Sequence, residues 1–201
     1  MARKIFFSFH YERDAWRAGQ VRNSNVVSSD DRYGFIDAVD WESIKKQGDE
    51  AVRRWIVDQL KDTSVTVVLI GAETANREWV RHEILKSWNR GNGLVGVRIH
   101  NVKHQDGNTD YEGRNPFDDF KLSDGRLLSS VCKTFDWVLD DGRTNLGKWA
   151  DEAAEIRAKY GKDDKIGETG GVKASGLSAS SAAPATVGFV PRSPWCSYDG
   201  K

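Results

Sequence analysis

Within Trp79-Val-Arg-His-Glu83 a tryptophan and a glutamate stand four residues apart, just after the apolar run Thr63-Ser-Val-Thr-Val-Val-Leu-Ile-Gly71. Read as a short helix at about 100° per residue, the segment gathers Trp79, Val80, Glu83, Ile84, Ser87 and Trp88 on roughly half of its circumference. Glu83 therefore falls inside an apolar arc, whereas Glu78, Arg81 and Lys86 largely point the other way. Burying a carboxylate without a partner costs several kcal/mol. Two readings follow from the pattern alone. Glu83 is an edge residue paired with Lys86 three positions on, or it is a carboxylate kept for chemistry just past the carboxyl end of a buried strand, where α/β sheets bind their ligands.

Other reactive residue types offer less. Cys132 and Cys196 make neither a disulfide framework nor a metal quartet, and Cys132 reads as a buried residue in or beside a strand. His100 and His104 lie four apart in a stretch rich in polar residues and glycine, where helical spacing carries no meaning, so no metal site is expected. His82 adjoins Glu83 but points about 100° away around the helix and reads as a surface or satisfied histidine.

The elements that must position Glu83 alternate between strand and helix patterns. Lys4-Ile-Phe-Phe-Ser-Phe9 is a continuous apolar run of the kind buried on both faces of a parallel sheet. His10, Tyr11 and Asp14 open a loop, and a helix is expected from about Ala15 to Val21. Gly34 to Val39 suggests a short second strand, and Val52, Trp55, Ile56 and Leu60 give a helix with a core-facing stripe. Val65 to Ile70 is nearly all β-branched and is the clearest strand. Gly71 ends it, Thr74 or Asn76 can cap the helix carrying Glu83, and Gly91-Asn-Gly93 stops that helix before a strand over Leu94 to Ile99. After a long polar loop, a fifth strand near Val131 to Val138 and an amphipathic helix from about Asn145 to Tyr160 complete the pattern. The alternation predicts a doubly wound, mostly parallel five-stranded sheet with helices on both faces.

The 201 residues suffice for one domain of about 150 residues and an appendage. Residues 1–160 are expected to form the domain. Residues 161–201 form a flexible tail rich in Gly, Ala and Ser, whose aromatic end, Phe189 to Tyr198, either docks in a groove or stays loose. Thirty basic and thirty acidic side chains cancel, which argues against bulk binding to nucleic acid or an anionic membrane. No apolar run is long enough for a signal-peptide core or a membrane span, so a soluble, intracellular protein is expected.

Taken together, Lys4-Ile-Phe-Phe-Ser-Phe-His-Tyr11, Thr66-Val-Val-Leu-Ile-Gly71, Thr74, Trp79-x-x-x-Glu83-Ile84 and Gly93-Leu-Val-Gly-Val-Arg-Ile99 resemble the bacterial TIR-like domain family, nearest its ThsB type of the Thoeris anti-phage systems. The resemblance covers about residues 4 to 160. It implies a flavodoxin-like fold and cleavage of the nicotinamide-ribose bond of NAD, which is substrate rather than cofactor. It further implies a cyclised or rearranged ADP-ribose signal that activates a partner effector, a phage-derived trigger and self-assembly on activation. The family's catalytic glutamate falls on Glu83, with Trp79 ahead of it, and the loop after the first strand adds Ser8, His10 and Tyr11 to the pocket.

The implied chemistry suits a single carboxylate. Most glycosidases need a second one to protonate a poor leaving group, but nicotinamide departs from a cationic pyridinium and leaves neutral. An ionised Glu83 would bind the ribose hydroxyls and stabilise positive charge developing at the anomeric carbon. Trp79 could stack on a flat base, with Trp41 or Tyr11 as the opposite wall. Excluding water would let the adenine attack and give a cyclic product. The turn from Gly71 to Asn76, with Arg77 nearby, offers amides to the pyrophosphate, although plain turn geometry explains these residues equally well.

Three rivals share parts of this pattern. A non-enzymatic TIR-like assembly module has no use for the glutamate. A phosphoacceptor receiver domain needs acidic residues where Ser8 to Tyr11 and Ile70-Gly71 stand. A nucleoside deoxyribosyltransferase-like enzyme uses a glutamate in the same way on nucleosides. A hydride-transferring Rossmann enzyme lacks its Gly-x-Gly-x-x-Gly after the first strand.

Overall fold

The computed structural model describes residues 4–24, 43–44, 46–161 and 163–169. The expected strand at 34–39, Trp41, Cys196 and the aromatic end of the tail lie outside these residues. Among those described, the elements run β1 (Ile5–Ser8), α1 (Tyr11–Arg22), α2 (Asp49–Gln59), β2 (Val65–Ile70), α3 (Glu78–Arg90), β3 (Gly93–Arg98), β4 (Phe120–Lys121), β5 (Thr134–Asp136), α4 (Gly142–Ala158) and β6 (Gly167–Glu168). A sheet of order β1-β2-β3-β5 is parallel throughout. β4 and β6 form a separate antiparallel ribbon. This is the expected α/β fold, with four strands of the main sheet among the described residues.

The twofold alternation of side chains along a strand assigns each residue to a face. Ile5, Phe7, Val65, Val67, Leu69, Val95 and Val97 pack on one side with Ala18 and Val21 of α1 and with Leu146, Trp149 and Ala153 of α4. Val68, Ile70 and Leu94 face the other way, against Val80, Ile84 and Trp88 of α3. Phe6 meets Val52 and Ile56 of α2 in a smaller cluster that also touches Trp79. All six residues of β2 are buried, as a strand covered by helices on both faces requires.

Polar residues fix how α3 lies on the sheet. Thr66 donates its hydroxyl to Ser87 Oγ at 2.8 Å in a buried contact. One helical turn earlier, Ser8 donates to Glu83 Oε2 at 2.5 Å. Each pair satisfies groups that would otherwise be stranded between apolar surfaces. The helix ends at Gly91, which adopts the left-handed conformation (φ 108°).

Three elements differ from the expectation. α1 begins at Tyr11, four residues early, with Glu12 and Asp14 in a first turn that favours acidic groups. The fifth strand shrinks to Thr134–Asp136 because Asp136 Oδ1 accepts the amides of Val138 and Leu139 and turns the chain. The loop after β3 is structured rather than open. In it Arg114 makes a bidentate pair with Asp119 (2.6 and 2.8 Å), and Asp119 also receives Arg81 of α3 at 3.1 Å.

The chain remains on the domain past residue 160. Trp88 donates its indole N–H to the Asp164 carbonyl at 2.9 Å, and Arg157 lies over its ring at 4.8 Å. Ile166 is buried and Glu168 pairs with Arg81 at 3.1 Å. No helix among the described residues is long and apolar enough to cross a membrane.

Gly93 marks where α4 approaches the sheet most closely. A Cβ there would lie 2.5 Å from the Ala153 carbonyl carbon and oxygen, which are backbone atoms and cannot swing aside. Gly93→Ala is expected to lower stability by about 1–3 kcal/mol in denaturant unfolding, as overpacked cores do. Gly147→Ala, at an exposed position inside α4 with open space around it, should instead raise stability by about 0.5–1 kcal/mol.

Candidate active site

β1 delivers its last residues to the carboxyl edge of the sheet, where Phe9 and His10 turn the chain into α1. Beside this edge a cavity of about 290 Å³ opens. Phe6, Phe7, Phe9, His10, Tyr11 and Glu12 form one side, Trp55 of α2 another, and Asn76 to Val80 together with Glu83 the third. The size is close to the lower end of ordinary small-molecule pockets, about 300 Å³, and mostly apolar walls with a few convergent polar groups are their usual lining.

Glu83 reaches this cavity from the middle of α3. It is 7% exposed, and the Ser8 hydroxyl is its hydrogen-bond partner. Among the described residues no cation pairs with it, so the alternative pairing with Lys86 does not form. Burial against phenylalanine and aliphatic side chains disfavours the charged form and pushes its pKa up to about 8, although the Ser8 hydrogen bond pulls the other way. In the resting pocket at neutral pH Glu83 is thus mainly a neutral acid, whereas the sequence-based chemistry required a carboxylate.

His10 stands across from it, also 7% exposed. Neither ring nitrogen has a hydrogen-bond partner among the described residues. Glu12 Oε2 lies 3.8 Å from Nε2, too far for a hydrogen bond. Burial, and then the Arg77 guanidinium, lower its pKa below the usual 6.5, so the ring is neutral at pH 7.

The first turn of α3 borders the same space. No side chain caps it, and Arg77 at the N-cap is extended. The leading amides of a helix have no intrahelical acceptor, and here they carry the positive end of the dipole into the pocket wall. Trp79 is held from behind by Arg53, whose guanidinium lies 5.5 Å from the ring centroid, and by His82 edge-on at 6.3 Å. Arg53 also pairs with Glu78 at 3.5 Å. His82 is therefore half-buried against neighbours on α2 and α3 rather than part of the pocket lining.

The structure brings together His10, Tyr11, Trp79 and Glu83 from the expected set, with Ser8 behind Glu83. Ser8 is 1% exposed and its hydroxyl is committed to Glu83, which makes it a support for the carboxyl group rather than a wall. Gly71 and Thr74 do not line the cavity. The Gly71 amide donates to Thr74 Oγ1 at 2.9 Å, and a Cβ at Gly71 would run into the Asp14 carboxyl group. These two residues shape the turn below α3, and the amides that border the pocket come a few residues later. Trp55, read from the sequence as part of a core stripe, lines the cavity, as do Phe6, Phe7 and Phe9. The available signal was the size of Trp55 at the edge of its stripe, since a side chain that large often reaches past the core. Cys132 is buried, its thiol pushed up by desolvation, and it packs in the cluster with Trp88, Phe117 and Leu128 and does not line the pocket.

Comparison with known proteins agrees with this architecture. The family model for the TIR-like domain of the Thoeris protein ThsB matches residues 6–104, the stretch from β1 to just past β3. A protein of Bacillus cereus (strain MSX-D12), named "Putative cyclic ADP-D-ribose synthase ThsB1", is 36% identical over 190 residues, which span 74% of this chain and 99% of that relative. The chain belongs to the Thoeris ThsB family of TIR-like domain proteins.

Proposed function

We propose that the pocket cleaves the bond between nicotinamide and ribose in NAD and closes the ADP-ribosyl group on itself, giving a cyclic ADP-ribose. This nucleotide would be the signal that activates a partner effector in anti-phage defence, after a phage-derived trigger and self-assembly of the protein in the bacterial cytoplasm. The observation that carries the reading is Glu83, a carboxyl group 7% exposed in an aromatic-lined cavity, held by Ser8 and, among the described residues, paired with no cation. The name of the Bacillus cereus relative supports the same product class.

On this reading NAD is a substrate and no cofactor takes part. The nicotinamide ring enters as a pyridinium cation, whose charge favours the ionised form of Glu83. As the glycosidic bond breaks, the bonding electron pair leaves with neutral nicotinamide and positive charge moves to the ribose C1 and ring oxygen. Glu83 stabilises that charge, and in a water-poor site the effect is larger than in solution. Trp79 stacks against a base, and Tyr11 or Trp55 bounds the opposite side. Asn76, Arg77 and the open amides at the start of α3 are suited to the pyrophosphate. An atom of the adenosine half then attacks C1 and releases a proton to solvent, whereas entry of water gives ADP-ribose.

Nucleotide mass spectrometry of phage-challenged cells, with nicotinamide release by the purified protein, tests the proposal. The wild type should consume NAD, and Glu83→Gln should lower turnover about 100- to 1,000-fold, the scale for losing one group that stabilises transition-state charge. Full turnover by the variant would remove Glu83 from the mechanism, and turnover of nucleosides in place of NAD would move the protein to the deoxyribosyltransferase reading.

A free-enzyme group near pKa 8 also predicts that kcat/KM for NAD rises with pH and levels off above about 8. Stability should move in the opposite sense. Between the ordinary value of 4.5 and about 8, folded Glu83 keeps a proton that the unfolded chain has lost, so the fold weakens as pH rises through this window. Glu83→Gln should therefore gain stability over the wild type from pH 5 to 8, by at most about 1.4 kcal/mol per pH unit, with no further gain above. Thermal melts across that range check the sign.

A further inference from the structure

Two titratable side chains, Glu83 from α3 and His10 from the end of β1, line one cavity, and each is 7% exposed. Neither has a charged partner within hydrogen-bond distance, and both ring nitrogens of His10 are unpartnered among the described residues. A site built for a ligand with one charge would be expected to hold a fixed opposite charge. Beside the fixed charges of Glu12, Arg77 and Glu78, this one also holds two groups that are neutral at rest, one able to become an anion and the other a cation.

Resting on the NAD reading above, we propose that the zwitterionic substrate sets both charges as it binds: Glu83 gives up a proton beside the pyridinium and His10 takes one up beside the pyrophosphate. The proton balance closes, because one carboxylic acid becomes a carboxylate and one imidazole becomes an imidazolium, with no net exchange with solvent. His10 is then the residue that reads the anionic half of the ligand, together with the first turn of α3.

The surroundings of each group fit these roles. Facing His10 are Glu12 on α1, Glu73 in the turn after β2, and Arg77 at the start of α3. The two acids raise its proton affinity, while burial and Arg77 lower it. Arg77 pairs with Glu73 at rest, and a pyrophosphate docked beside this pair would add its own negative charge near His10, which favours the imidazolium. Around Glu83 the polar neighbour is Ser8 of β1, and burial is what keeps the acid protonated. A pyridinium in the cavity supplies the missing opposite charge. With Glu83 and His10 both neutral at rest, the substrate has no ion pair between these two to break.

Calorimetric titrations at pH 7, repeated in buffers of different ionisation enthalpy, count the protons exchanged on binding. The ligands are ADP-ribose, which carries the pyrophosphate without the pyridinium, and a carbocyclic NAD analogue, which carries both and cannot be cleaved. Wild-type protein should take up close to one proton with ADP-ribose and exchange close to none with the analogue. With the analogue, His10→Gln should release close to one proton and Glu83→Gln should take up close to one. ADP-ribose binding without proton uptake, or proton release by the wild type with the analogue, would overturn the proposal even if NAD is cleaved. Binding of neither ligand would overturn both this proposal and the NAD reading, and the wild-type titrations decide the matter whether or not the variants fold.

Discussion

A carboxyl group placed between a helix and a sheet loses its hydration, and among the described residues the fold answers that loss at Glu83 with a serine hydroxyl rather than a cation. Much of the local architecture depends on this contact. Ser8 can reach Glu83 only because β1 pairs with β2 in a register that sets Ser8 opposite Val68, on the face covered by α3. The Thr66–Ser87 pair one turn further along holds the helix in the same alignment. A one-residue slip of β1 would turn Ser8 to the opposite face and leave the glutamate without a partner.

At Glu83 and His10 the cavity is consequently polar but uncharged at rest, while Glu12, Arg77 and Glu78 bring fixed charges to its lining. Apolar walls from Phe6, Phe7 and Phe9 lower the local dielectric, which weakens any isolated ion and strengthens any opposed pair. On the NAD reading this favours a ligand that brings both signs of charge with it. It also separates binding from chemistry, since the carboxylate that stabilises a cationic ribose forms when the pyridinium is beside it.

Residues far along the chain hold the rim of the pocket. Arg114 donates to the Ala75 carbonyl and to Asn76 Oδ1, and its partner Asp119 also binds Arg81 on α3. Glu168 joins Arg81 from the last described strand. Arg114, Asp119 and Glu168 lie beyond the segment matched by the family model, which ends at residue 104. The long loop after β3 thus braces the turn that leads into α3. Partly buried, shared ion pairs of this kind act by fixing geometry more than by adding large free energies.

How much of this was legible depended on the range of the interaction. Strand positions, the β-branched core of β2, the Gly91 stop and the placement of Glu83 within an apolar arc follow from local patterns, because helix and strand periods are written into neighbouring residues. The same patterns left Glu83 undecided between Lys86 and a site, and could not show that the Gly71 amide is committed to Thr74 Oγ1 or that neither residue lines the cavity. The sequence by itself determined the α/β alternation and the motif set of the family, with Glu83 among its residues. Only the tertiary structure decided that Ser8 supports this acid, that Trp55 lines a cavity while packing against its core cluster, and that Glu83 and His10 both rest neutral. Those outcomes turn on burial and on contacts between residues 75 positions apart, and desolvation is set by what packs around a group and not by its neighbours in sequence.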